Sequence, residues 1–72
     1  MAKLFLKDVG KNLREARKRA GLRQKEIVVI SGVAYRHYQS IEAGRVNVTL
    51  DTLHRLAEAF GTTVSDLTKI RR

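Results

Sequence analysis

The chain is a small basic polypeptide of 72 residues with fifteen Lys and Arg, seven Asp and Glu, and no cysteine. This composition excludes a disulfide scaffold and a thiolate metal site, and the longest apolar run, residues 27–30, is far too short to span a membrane. Positions 1–36 hold ten basic and three acidic residues, so the net charge of +8 is concentrated in the first half. Such a distribution favours a polyanionic partner, with a merely solubilising surface as the alternative. We expect residues 1–72 to form a single domain in a reducing cytoplasm.

The first predicted helix covers residues 6–20. Its apolar residues recur in steps of three and four, at Leu6, Val9, Leu13, Ala16 and Ala20. Gly21 supplies the stop signal. Four cations fall on the opposite side, namely Lys7, Lys11, Arg14 and Lys18. We interpret them as a water-facing stripe that raises the positive potential, rather than as direct contacts to nucleic acid.

Residues 24–44 predict two short helices around a tight turn. The second helix covers residues 24–31 with Ile27 and Ile30 inward, and Gly32 allows the left-handed turn that follows. The third helix covers residues 34–43 and is ended by Gly44. Helical spacing turns Ala34, His37, Tyr38 and Ile41 towards the core and leaves Tyr35, Arg36, Gln39, Ser40 and Ala43 outward. Helices joined by so short a turn cross steeply, so the third helix keeps an exposed face.

Two further helices complete an all-α chain. Thr49 is a good N-cap for a fourth helix that runs to Phe60. Its inward positions are Leu50, Leu53, Leu56, Ala57 and Phe60. Thr63 caps a fifth helix over residues 64–70, and Asp66 completes a pair of the capping-box type.

The order of residues in this central stretch carries a family resemblance. Gln24, a small-residue position at Val28, Gly32-Val33, Tyr38, Ile41 and Glu42-x-Gly44 together resemble the helix-turn-helix of Cro/C1-type (XRE-like) repressors. The resemblance extends from about Val9 to Leu67. It implies a five-helix, lambda-repressor-like domain that binds double-stranded DNA, with a homodimer formed near the C-terminal end. Ala34 departs from the pattern, because the family has Ser or Thr as the cap of the third helix.

The resemblance also assigns roles to individual residues. It implies base reading by Tyr35, Arg36 and Ser40, with Gln39 nearer the backbone, and phosphate contacts from Gln24, Arg45 and Asn47. The residue types agree, because arginine can bond guanine O6 and N7 bidentately and glutamine suits adenine.

Arg17 is expected to pair with Glu42. Helical spacing places Arg17 inside the apolar stripe, where a cation is costly unless it is paired. Glu42 lies at the edge of the third helix, and the family has an arginine and a glutamate joined in a salt bridge at these places. The pair is expected to fix the third helix against the first.

No residue pattern indicates an enzyme. Two histidines and seven scattered acids show neither metal-ligand spacing nor a nucleophile with its base, and no cofactor is expected. We therefore expect a transcriptional regulator, acting as a repressor on an inverted-repeat operator. The alternative is an antitoxin or other protein-interaction module of the same fold that needs a partner protein, for which the outward Val29 and the apolar C-terminus leave room. A restriction–modification controller is a further possibility of the same class.

Overall fold

The computed structural model describes residues 2–70, with side chains from Phe5 onward, and contains five helices. They are α1 (Ala2–Arg19), α2 (Gln24–Ser31), α3 (Tyr35–Glu42), α4 (Leu50–Phe60) and α5 (Val64–Leu67). No strand occurs within residues 2–70, so the predicted all-α, five-helix class is confirmed. None of the helices in this described part is long and apolar enough to cross a bilayer.

The helices enclose one apolar core to which all five contribute. Its buried members are Val9, Leu13, Ala16, Ile27, Val33, Tyr38, Ile41, Leu53, Leu56, Ala57, Phe60 and Leu67. In α1, α3 and α4 these residues recur at three- and four-residue intervals, as the sequence predicted for most of them. Burying each large side chain contributes about 1.5–3 kcal/mol relative to leaving it in water.

Five side chains predicted to point inward are exposed, and those predictions were wrong. Ile30 and Leu50 remain 56% and 74% exposed, and Ala20, Ala34 and His37 also face solvent. The first four lie within one residue of a helix end, where neighbouring elements cover less of a side chain. His37 is exposed because α3 buries only Tyr38 and Ile41, which makes its apolar stripe narrow.

The helix termini agree with the predictions at α2 and α4, differ by one residue at each end of α3, and differ at α1 and α5. α1 begins four residues earlier than predicted, and α5 ends at Leu67 rather than near residue 70. The Thr63 hydroxyl accepts from the Asp66 N–H, as predicted for a cap, but the Asp66 carboxylate accepts from Thr62 instead of completing a capping box. Ala34 provides no side-chain cap to α3, as its residue type implied.

A buried asparagine that the sequence did not single out holds the chain after α5. Asn12 Nδ2 donates to the carbonyl oxygens of Leu67, at 3.0 Å, and Lys69, at 2.8 Å. Because a helix that ends leaves its last carbonyls without partners, this buried amide donor satisfies the carbonyl of Leu67, the last residue of α5, as well as one two residues further on. Asn12 therefore ties the C-terminal end of the described chain to α1.

Two glycines bring α1 and the end of α3 into close contact. A Cβ at Gly10 would lie 2.3 Å from the carbonyl oxygen of Glu42, and one at Gly44 would lie 2.8 Å from the Cα of Lys7. Gly44 also has a φ of 74°, in the left-handed region where glycine is favoured. The backbone of α3 can approach α1 this closely only because both positions lack a side chain.

Candidate nucleic-acid interface

The carboxylate of Glu42, the last residue of α3, fixes α3 against α1. Arg17 donates to it through Nε and Nη2, each at 2.9 Å, in a two-pronged arrangement. The Arg17 side chain is 13% exposed and that of Glu42 is 7% exposed, so the pair is largely removed from water. Arg17 Nη1 also donates to the Leu22 carbonyl at 3.0 Å. The predicted ion pair is therefore present in the structure, with the bidentate geometry that gives arginine–carboxylate pairs their strength.

Two further donors converge on the same carboxylate. The Tyr38 hydroxyl donates to Oε2, and Gln24 Nε2 donates to Oε1 at 3.1 Å. Burial acts to raise the pKa of Glu42, but the hydrogen bonds from Arg17, Tyr38 and Gln24 outweigh it and hold that pKa below its ordinary value. Burial, followed by the hydrogen bond to Glu42, raises the pKa of the Tyr38 phenol. Glu42 therefore remains ionised, and Tyr38 remains a donor, across the physiological range.

The outer face of α3 carries the predicted base-reading residues. Arg36 and Gln39 are exposed, and within the described residues neither side chain has a hydrogen-bond or ion-pair partner. Ser40 is only half-buried. Tyr35 lies at the junction with α2, where Lys25 Nζ is 6.0 Å from the centre of its ring, at the outer limit of a cation–π contact.

An open cleft lies beside this face, between α1, α2 and α3. Its lining residues are Arg14, Arg17, Gln24, Gln39, Glu42 and Ala43. The structure thus places Gln24, predicted to contact phosphate, next to Gln39 of α3. It also places Arg14 there, which the sequence assigned to a water-facing stripe. The sequence signal for this placement of Arg14 is its spacing from Arg17. Residues three apart on a helix are neighbours on its surface, so the two arginines lie side by side on α1.

The loop after α3 presents its two predicted phosphate contacts outward. Arg45 and Asn47 are exposed, whereas Val46 and Val48 are half-buried and pack against the core. Arg45 is anchored by its backbone N–H, which donates to the Ser40 carbonyl at 3.0 Å. Packing of the two valines therefore holds this loop on the core while Arg45 and Asn47 stay exposed.

Charged residues are distributed unevenly over the described surface. On α4, Asp51 pairs with Arg55 and Glu58 lies 3.7 Å from His54, so acids and bases there sit side by side. Around α3 the exposed cations Arg14, Arg36 and Arg45 have no acidic side chain within 4.0 Å among residues 5–70. An excess of unpaired positive charge beside an exposed helix is the electrostatic pattern of a surface that attracts nucleic acid.

The helix-turn-helix, its exposed third helix and its basic surroundings define a class of protein. A model of the helix-turn-helix family matches residues 13–67. The chain belongs to this family, as a member of the Cro/C1 type of DNA-binding transcriptional regulators.

Relatives with curated names support the same class. The chain is 42% identical over 55 residues to the HTH-type transcriptional regulator DdrOP3 of Deinococcus deserti, covering 76% of this chain and 43% of the relative. It is also 42% identical over 53 residues to the uncharacterized HTH-type transcriptional regulator y4dJ of Sinorhizobium fredii, covering 74% and 69% of the two chains. The chain therefore spans less than half the length of DdrOP3.

Solved structures resemble the fold closely. The restriction-modification controller protein C.AhdI of Aeromonas hydrophila superposes with a TM-score of 0.82 at 32% identity, over 86% of this chain and 94% of that one. The hypothetical transcription factor NHTF from Neisseria gives a TM-score of 0.87 at 21% identity, over 97% and 80% of the two chains. The second likeness shows the fold alone.

Proposed function

We propose that this chain is a sequence-specific regulator of transcription that binds double-stranded DNA as a homodimer on an inverted repeat and acts as a repressor. In this proposal residues 1–72 act as one DNA-binding unit in the cytoplasm. Each protomer inserts α3 into the major groove. The two half-sites then lie about one helical turn apart, ~34 Å, because the symmetry of the dimer is matched by that of the operator.

The observation that supports the proposal is the exposure of the Arg36 side chain and its lack of a partner among the described residues. Its guanidinium is exposed and unpartnered in the described structure, on a helix whose far end is held by the buried Glu42 carboxylate. A free cationic fork on a rigid helix is suited to bonding the O6 and N7 acceptors of guanine. The same exposed arginine on a loosely held helix would lack the fixed geometry that base reading needs.

In this proposal the site residues, Arg36 included, divide into two groups. Gln24, Arg45 and Asn47 contact phosphates, while Tyr35, Arg36 and Ser40 read bases with Gln39 beside them. Phosphate contacts set register and affinity but carry no sequence information directly. The two groups should therefore respond differently to substitution.

Arg36→Ala should cost about 1–3 kcal/mol of binding to the operator and relax the preference at one base pair. Gln24→Ala should weaken binding to every sequence by a similar factor. Both variants are compared with wild type on an operator and its single-base variants, after a thermal melt has confirmed that they fold. A base-specific loss in Gln24→Ala would contradict the division, because a phosphate contact carries no sequence information directly.

Selection of bound sequences from a random duplex library at about 0.15 M salt tests the function itself. Non-specific binding is strongly weakened at that salt concentration, whereas specific affinity survives. Recovery of an inverted repeat is the expected result. Absence of any enriched sequence would contradict the proposal.

A second candidate is a module of the same fold that acts with a partner protein, as an antitoxin does. It is favoured by two adjacent apolar side chains of α2 that face water, Val29 at 83% and Ile30 at 56% exposure. Ile70, beyond α5, is also exposed. Co-purification of a second, separately encoded chain in a fixed ratio would favour this candidate. The likeness to C.AhdI adds the related possibility of a controller role, for which adjacent restriction and modification genes are the discriminating observation.

A further inference from the structure

The cleft between α1, α2 and α3 has an unusual balance of charge. Three charged side chains line it, those of Arg14, Arg17 and Glu42. Arg17 and Glu42 neutralise each other through two hydrogen bonds of 2.9 Å. The net positive charge of the cleft lining therefore comes from Arg14.

The neutral groups of the cleft are also arranged to donate. Gln24 uses one N–H of its side-chain amide for the Glu42 carboxylate, and an amide nitrogen carries two hydrogens. The contact with Glu42 turns the nitrogen of this amide towards the cleft lining and leaves its second N–H free. Gln39 adds another exposed amide on the opposite side.

The arginine itself is free to take a ligand. Arg14 is exposed, and within the described residues it has neither a hydrogen-bond acceptor nor an acidic partner. A guanidinium presents a planar fork of donors that matches the oxygens of a phosphate. Gln24 lines the same cleft, and its second N–H is a neutral donor there.

We propose that Arg14 is the charged ligand of a backbone phosphate that occupies this cleft when α3 lies in the major groove. The inference rests on the proposed DNA binding and adds a residue to it. Gln24 donates to the same phosphate, and the Arg17–Glu42 pair orients Gln24 without contributing net charge. Arg14 therefore acts through direct contact, unlike the other exposed cations of α1, which act through the long-range potential.

Arg19 provides a matched control for this contact. It is also an exposed arginine of α1, but it lines a separate depression with Phe60 and Asp66, on the side of α4 and α5. Arg14→Ala and Arg19→Ala remove the same charge from the same helix. Any difference between them reports the local contact rather than the net charge of the protein.

The experiment measures the affinity of wild type and both variants for a duplex between about 0.05 and 0.2 M NaCl. Loss of one phosphate contact makes the slope of log K against log salt shallower by about 0.9. As salt rises across this range, Arg14→Ala should therefore lose about three- to fourfold less affinity than wild type does. Arg19→Ala should keep the wild-type slope. Equal slopes for the two variants would overturn the proposal.

A second measurement does not depend on DNA. Inorganic phosphate is titrated into the wild-type protein at constant ionic strength, and the Nε–Hε resonances of arginine and the side-chain amide resonances of glutamine are followed by NMR. Arg14 and Gln24 should shift together and saturate while Arg19 does not move. Indistinguishable shifts at Arg14 and Arg19 would overturn the site. Failure of the protein to bind any duplex, with a saturable phosphate shift at Arg14, would reject the proposed function separately.

Discussion

Replacing Arg17 by alanine tests whether the buried ion pair holds α3 in place. The substitution leaves the Glu42 carboxylate, only 7% exposed, without its cationic partner. Removing one member of a buried pair costs about 3–5 kcal/mol, because the remaining charge is left uncompensated. Tyr38 and Gln24 still donate to Glu42, so we expect a loss at the lower end of this range.

A loss of about 3 kcal/mol is large for a domain of this size. Domains are stable by about 5–15 kcal/mol in total, and a small core lies near the lower end. Each kcal/mol shifts the melting temperature of a 60–100-residue domain by roughly 4–8 °C, so Arg17→Ala should melt about 12–24 °C below wild type. Circular dichroism at 222 nm, with urea titrations at pH 7, measures both quantities.

Arg55→Ala is the matched control for this substitution. Arg55 also pairs with a carboxylate, Asp51, at 3.2 Å, but the two side chains are 54% and 73% exposed. Exposed pairs of this kind contribute about 0–1 kcal/mol, because water and salt screen them. If Arg17→Ala destabilised the protein no more than Arg55→Ala does, the structural role assigned to the Arg17–Glu42 pair would be refuted.

Two further predictions concern the contact between α1 and the C-terminal end of α3. Because hydrogen bonding holds the pKa of Glu42 below its ordinary value, the stabilisation it provides should be complete above about pH 4.3 and lost as pH falls through the lower folded-state value. The stability gap between wild type and Glu42→Gln, measured by urea titration, should therefore narrow on acidification, and a constant gap would contradict the assignment. Gly10→Ala should destabilise the fold by about 1–3 kcal/mol, because the new Cβ would meet the Glu42 carbonyl. Helix propensity alone predicts a gain of about 0.5–1 kcal/mol. A lower melting temperature in Gly10→Ala would therefore support the close contact, and a higher one would contradict it.

The sequence predicted the helices well because their signals are local. The span of α2 and the start of α4 follow from apolar spacing and from single residues such as the Thr49 cap, whose hydroxyl accepts from the Thr52 N–H at 3.1 Å. Gly32, expected to allow the turn after α2, has a φ of 75°. The errors arose where tertiary context decides. Whether Leu50 is buried depends on what lies beyond the end of its helix, and periodicity carries no information about that.

One contact of the candidate site, its buried ion pair, was predictable because a buried charge needs a partner of opposite charge. An arginine within an apolar stripe requires a buried acid, and the family pattern places that acid at Glu42. The role of Gly10 was not predictable, because a glycine inside a helix can reflect either tolerance or a close approach. That Arg14 lines the cleft was not predictable, because a helical wheel shows which way a side chain faces, but not that α2 and α3 form a cleft in front of it. The base-reading and phosphate-contacting assignments remain predictions.

The construction of α3 explains why its support matters for function. An isolated helix of eight residues is unstable in water, and α3 buries only Tyr38 and Ile41. Its outward residues Tyr35, Arg36 and Gln39 are exposed, so packing restrains the helix along one narrow side only. A further restraint lies at the C-terminal end, where Gly10 admits the backbone and Glu42 receives donors from Arg17, Gln24 and Tyr38. Substitutions at this end should therefore alter how α3 meets DNA although none of them touches a base.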